Sequence, residues 1–215
     1  MSISTSPALA RTDGVAPSEG RHRPPTVRSV RAAGIATAVG SATWAAGILV
    51  FDLGEDTTRT EDVLYGASGL LFQLGLVALV AVQLATRATG TGTLARRFLH
   101  IEHAMLGLAI LSSLQTMLIP AWNENPAALA LDAFWPLSML GMCAIGIRIA
   151  IAGRWRGPAR FWPLGAESWA PVVIPASAAL PDLAGPIGAG HLLVGYACLG
   201  LVLALRPENT LPRER

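Results

Sequence analysis

Ionisable side chains set within apolar sequence are the first candidates for chemistry in this chain. One group is His100, Glu102 and His103, with Arg148 further along; another is Asp132, Asp182 and His191, with Trp135 close to Asp132. His100 and His103 are three residues apart and share one helix face, whereas Glu102 points elsewhere. Two histidines at this spacing could ligate a metal, but a closed site needs further donors. The order His-Ile-Glu-His is also not the zinc pattern His-Glu-x-x-His. No metal and no cofactor are therefore expected. A charge in hydrocarbon is costly unless paired, so the simplest role for Glu102 is an ion pair with Arg148 near the inner face. Proton handling or contact with lipid head groups is the alternative for this group.

Asp132 and His191 each fall a few residues inside an apolar stretch, about 6 Å below its outer boundary at ~1.5 Å per residue. With Asp182 and Trp135 they could form a pocket for a cation, a proton or a polar head group. Asp132, Trp135, Pro136, Met139 and Cys143 follow one helical stripe that would line it. The plainer alternative is a set of solvated carboxylates at the interface, with His191 bridging to one of them. The same residues could also supply acid and base to an intramembrane enzyme acting on a lipid or prenyl substrate, as in terpene cyclases. No GxSxG, Walker A or GxGxxG motif is present, and Cys143 and Cys198 form no CxxC pair.

These residues must be positioned by helices in a membrane. Hydrophobic residues make up 52% of the 215 and charged residues 14%, a balance outside the soluble class. A crossing helix needs about 20 apolar residues. Residues 32–51, 63–86, 98–120, 129–152 and 187–205 meet that standard. Residues 168–185 are apolar but interrupted by Pro171, Pro175 and Pro181, and are expected to cross as a broken fifth span. Arginine placement decides the count. All sixteen basic residues are Arg, and six spans put every one except Arg59 on the cytoplasmic side. Five spans would leave Arg206, Arg213 and Arg215 outside. Acidic residues collect oppositely, at Asp52, Glu55, Asp56, Glu61, Asp62 and Glu124. The expected fold is an all-α, polytopic transmembrane bundle of six spans in the cell membrane, with both termini cytoplasmic. Residues 1–30 form a disordered tail, 31–206 the bundle and 207–215 a second tail.

Ala33, Thr37, Ser41 and Ala45 put small side chains on one face of the first span, which suits bundle packing or a homodimer seam. Arg154, Arg156 and Arg160 surround a Gly-Pro turn and invite anionic lipid. The arginines form no basic stripe with interleaved aromatics, so nucleic acid is not an expected partner. Phe134-Trp-Pro-Leu-Ser-Met-Leu-Gly141, Gly153-Arg-Trp-Arg-Gly-Pro-Ala-Arg160 with Trp162-Pro-Leu164, and His191-Leu-Leu-Val-Gly-Tyr196 together resemble uncharacterised small six-helix membrane proteins of actinobacterial type. That resemblance implies architecture and no activity. The expected function is binding or moving a small ligand or ion, or service as an accessory membrane subunit. The enzymatic reading above and a purely structural role are the alternatives.

Overall fold

The computed structural model describes residues 25–51 and 57–211. Asp52, Glu55, Asp56, Arg213, Arg215 and the tail before residue 25 lie outside these. Helix α1 (Val27–Val50) starts a few residues earlier than the apolar run alone suggests, because Thr26 caps it. The Thr26 hydroxyl accepts from the Ser29 N–H at 3.1 Å, and the Ser29 hydroxyl accepts from the Thr26 N–H at 3.0 Å. Helix α2 (Arg59–Ala85) begins with the same device, the Glu61 carboxylate accepting from the Thr58 N–H at 2.8 Å. Helix α3 (Thr93–Leu118) follows a turn at residues 86–92. Helix α4 (Pro126–Asp132) leads through Ala133 into α5 (Phe134–Ala152). Pro136 has no N–H to offer the Asp132 carbonyl, which accounts for the break there. Gly153 ends α5 in the left-handed region, at φ 62°.

Among the described residues, five helical stretches are long and apolar enough to cross a membrane: Val27–Val50, Arg59–Ala85, Thr93–Leu118, Pro126–Ala152 and Pro181–Leu205. At ~1.5 Å per residue each exceeds a hydrocarbon core of about 30 Å. Their polarity is inverted relative to a water-soluble bundle. Val39, Leu71, Leu74, Leu140 and Val194 face outward, whereas Thr37, Ser41, Gln73, Gln83, Glu102, Ser138 and Glu167 are buried.

The Pro-rich segment departs from its expected bounds. It forms α6 (Pro158–Ala166) and α7 (Trp169–Ala179), and the break falls at Glu167 and Ser168 rather than at a proline. Pro171 lies in the first turn of α7, where a missing N–H matters least. From Pro181 onward the chain already belongs to the last helical stretch, made of α8 (Ala184–His191), a π-helical segment (Leu192–Ala197) and α9 (Cys198–Leu205).

Side-chain contacts identify the two ends of the bundle. At the basic end, Arg31 Nε donates to the Ala204 carbonyl at 3.1 Å. The Arg156 N–H donates to the Asn209 carbonyl at 2.9 Å, and Trp155 Nε1 donates to the Thr86 hydroxyl at 2.9 Å. Trp155 is fully buried. At the acidic end, Gly185 faces Ile48 of α1, and Asp62, Asn123 and Asp132 border one cavity. α6 packs against α5 and α9, and α7 against α8.

Glycine contacts hold α1 between its neighbours. A β-carbon on Gly200 would come within 2.5 Å of the Gly34 carbonyl and the Ala38 nitrogen. One on Gly75 would come within 2.9 Å of the Ala36 carbonyl. Thr37, Ser41, Ala33 and Ala45 are buried in this sandwich, and the Thr37 hydroxyl reaches the Gly75 carbonyl at 3.1 Å. The small-residue face of span one is thus covered by α2 and α9 of the same chain.

Candidate functional site

Asp132 and Trp135 open into one cavity of about 410 Å³ at the acidic end, and Asp62, Arg59 and Asn123 also border it. Helices α1, α2, α3 and α5 supply its walls through Trp44, Tyr65, Ser113 and Trp135. Trp44 stacks on Phe72 with ring centroids 5.0 Å apart, and Trp135 meets Trp44 edge-on at 5.4 Å. The Ser112 hydroxyl donates to Asp132 Oδ1 at 3.3 Å. Arg59 donates to the Met117 carbonyl. Two carboxylates and one arginine therefore border the cavity.

Gln73 lies deeper among the cavity-lining residues and is 3% exposed. Its Nε2 donates to the Ser113 hydroxyl at 2.8 Å, and that hydroxyl donates onward to the Ala109 carbonyl at 3.2 Å. In this amide orientation Gln73 Oε1 has no hydrogen-bond partner. Trp44 Nε1 is likewise a buried donor with no partner. A buried amide oxygen or indole N–H normally finds a partner, and both of these, on residues that line the cavity, lack one.

The other expected site residues are elsewhere. Asp182 is exposed in a 3-10 turn at Pro181–Leu183. His191 borders a separate apolar groove with Trp162 and Gly165. His191 Nε2 is 3.3 Å from the Ser168 hydroxyl, which donates to the Gly165 carbonyl at 2.7 Å. With the serine proton directed at the Gly165 carbonyl, Nε2–H donates to the Ser168 oxygen. Asp132, Asp182 and His191 are not assembled into one acid–base centre.

Glu102 is buried near the middle of α3, not at the inner face where the sequence places it. The Ser138 hydroxyl donates to its Oε1 at 2.6 Å, and its other oxygen rests where a Gly141 side chain would be. Arg148 lies two turns further along α5, beside Gly90, and no ion pair joins the two among the described residues. A depth mismatch explains this. α3 begins at Thr93, so Glu102 is already more than two turns into the bundle.

A second buried carboxyl escaped the sequence reading. Glu167 accepts from Gln83 Nε2 at 2.5 Å and packs on Gly146, where an added β-carbon would lie 3.0 Å from its Oε2. The Tyr196 hydroxyl, fully buried and unpartnered, lies within electrostatic reach of Glu167, Glu102 and the Cys143 thiol. Phe72 meets Tyr196 at 5.1 Å and stacks on Trp44, so aromatic rings connect this interior group to the outer cavity. The available signals were Gln73 and Gln83 inside an apolar span and a lone acid between Trp162 and Trp169.

No family model, curated protein or solved structure matches this chain. The functional reading rests on its own residues. Among those described, no group of three or more His, Cys, Asp or Glu side chains could hold a metal ion.

Proposed function

We propose that this chain crosses the cell membrane six times, with both termini in the cytoplasm, and receives a small organic cation from outside in the Asp132 cavity. The observation that carries the reading is the unpartnered Gln73 Oε1, an acceptor buried among cavity-lining residues beneath the Asp62 and Asp132 carboxylates. Trp44, Trp135 and Tyr65 add aromatic surface, which attracts cations through the ring quadrupole. A volume of 410 Å³ suits a small ligand. The five apolar stretches, the inverted polarity and the contacts of α6 with α9 and of α7 with α8 support the six crossings.

Ligand class is tested by titrating the lipid-embedded protein with choline and with its neutral carbon isostere, following thermal stability. Choline is expected to stabilise and the isostere to bind at least about tenfold more weakly; Asp132→Asn, which removes a charge facing the ammonium, and Gln73→Leu, which removes the buried acceptor for the choline hydroxyl, should each lower choline affinity about tenfold. Equal binding of the isostere would exclude a cation site. No effect of either compound would leave a structural or accessory role.

Orientation is tested separately in a background with Cys143 and Cys198 replaced by Ala. Thr116→Cys, at the cavity, is expected to react with a membrane-impermeant thiol reagent in intact cells. Thr91→Cys, in the turn before α3 at the basic end, is expected to react only after permeabilisation. The reverse pattern would invert the topology.

A further inference from the structure

At the basic end a groove of about 720 Å³ runs between the turn before α3 and the last turns of α5. Thr89, Gly90 and Gly92 form one side, Arg148 and Arg154 the other, and Leu94, Phe98, Ala144 and Ala152 extend it along the helices. Neither guanidinium has a carboxylate or carbonyl partner among the described residues. Their neighbours are committed. Arg156 donates to the Glu208 carbonyl, and Arg160 Nε donates to the Ala150 carbonyl at 3.0 Å. Of the three arginines expected to meet lipid, only Arg154 borders this groove. Arg148, assigned by the sequence to Glu102, takes the second place.

Two further features point to an anion. The Thr89 hydroxyl belongs to a residue 2% exposed, borders the groove and has no hydrogen-bond partner. Helix α3, with Gly92 at its N-cap, has no side chain capping its first turn, and Gly92, Leu94 and Ala95 of that turn line the same groove. The groove is lined by no carboxylate, hence by nothing that would hold the ammonium of a zwitterionic head group. Leu94 is 79% exposed and Phe98 37%, which provides apolar surface directly beside the cationic end.

We infer that this groove binds the head group of an anionic glycerophospholipid. The phosphate is held by Arg148, Arg154, the Thr89 hydroxyl and the α3 N-terminus, and an acyl chain lies along Phe98 and Ala144. The inference needs a bilayer around the chain but not the cation cavity at the other end.

The test uses the full chain in nanodiscs of phosphatidylcholine, with phosphatidylglycerol titrated in. Bound lipid is counted by native mass spectrometry and melting temperature is followed. Wild type is expected to retain phosphatidylglycerol at least tenfold more tightly than phosphatidylcholine. Arg148→Gln and Arg154→Gln should each lower that preference about tenfold, the double variant should abolish it, and Thr89→Val should weaken it severalfold. Arg206→Gln, an exposed arginine at the same end that does not line the groove, should leave it unchanged. Melting temperatures in phosphatidylcholine alone establish that each variant is folded, and Arg148→Lys, keeping the charge without the fork, should retain part of the preference. An undiminished preference in the Arg148/Arg154 double variant would overturn the assignment. So would displacement of the lipid by inorganic phosphate or glycerol phosphate at comparable affinity, which would identify a soluble anion as the ligand.

Discussion

Gly200→Val is expected to prevent the bundle from assembling. A β-carbon at position 200 would lie 2.5 Å from the Gly34 carbonyl oxygen and from the Ala38 nitrogen, and 2.8 Å from the Ala38 side chain. Two of those three are backbone atoms of α1, so no rotamer change relieves the overlap and the helices must separate. Overpacking a close contact typically costs about 1–3 kcal/mol, and a clash with backbone belongs at or above the upper end. α1 is gripped on its other side by Gly40 against the Leu71 carbonyl and by Gly75 against Ala36, so it cannot slide away without breaking those contacts. The folded fraction after purification, and thermal unfolding of what survives, measure the effect. Gly107→Ala is the control. It sits in the interior of α3 with nothing within 4 Å of an added β-carbon, so the change is expected to be neutral or to stabilise by up to about 1 kcal/mol through helix propensity. Equal behaviour of the two variants would mean that α1 and α9 are not packed this closely.

The second large effect concerns Gln83 and Glu167. Replacing either with Leu leaves the other buried without its hydrogen bond, which costs about 1–3 kcal/mol beyond the change in packing. Replacing both removes the polar pair together and should cost clearly less than the sum, with a coupling energy of about 1–3 kcal/mol in a double-mutant cycle. Glu102 and Arg148, joined in the sequence reading, provide the contrast, because Glu102 is bonded to Ser138 and Arg148 stands apart at Gly90. Their cycle should close near zero. A reversed outcome, with coupling at 102 and 148 and none at 83 and 167, would contradict the described interior.

Much of the architecture was legible because membrane spans are written in apolar length, and four of the expected spans coincide with helices within a few residues. The bounds of the fifth segment were not legible. Glu167 interrupts the apolar run and reads as loop, and only its bond to Gln83, 84 positions away, makes it interior. Asp132 and Trp135 share a cavity although a helix break at Ala133 separates them, and Pro136, Met139 and Cys143 of the expected stripe do not line it. Gln73 and Trp44 were passed over because an amide or an indole in an apolar span announces nothing until its partners are known. Glu102 was misplaced by counting depth from the apolar boundary near Phe98, whereas the helix itself begins at Thr93. Periodicity and composition report what lies within one helix; the errors fell where a residue's role is set by another helix.

The π-helical turn at Leu192–Ala197 has a consequence for how this chain can change. Trp162 Nε1 donates to the Val194 and Gly195 carbonyls at 3.1 Å, and a β-carbon on Gly195 would be 3.0 Å from the Ala166 Cα. A π turn accommodates an extra residue relative to an α turn, so the last helix stores one residue of slack at this point. Deleting a single residue there would take up that slack, restore a uniform α pitch and leave Ala184–His191 and α9 facing their present neighbours. The same deletion one turn away, in regular α-helix, would instead turn everything before it by about 100° relative to α9. For this protein the π turn is the one described point of the last helix where a residue can be lost without re-aiming half of it.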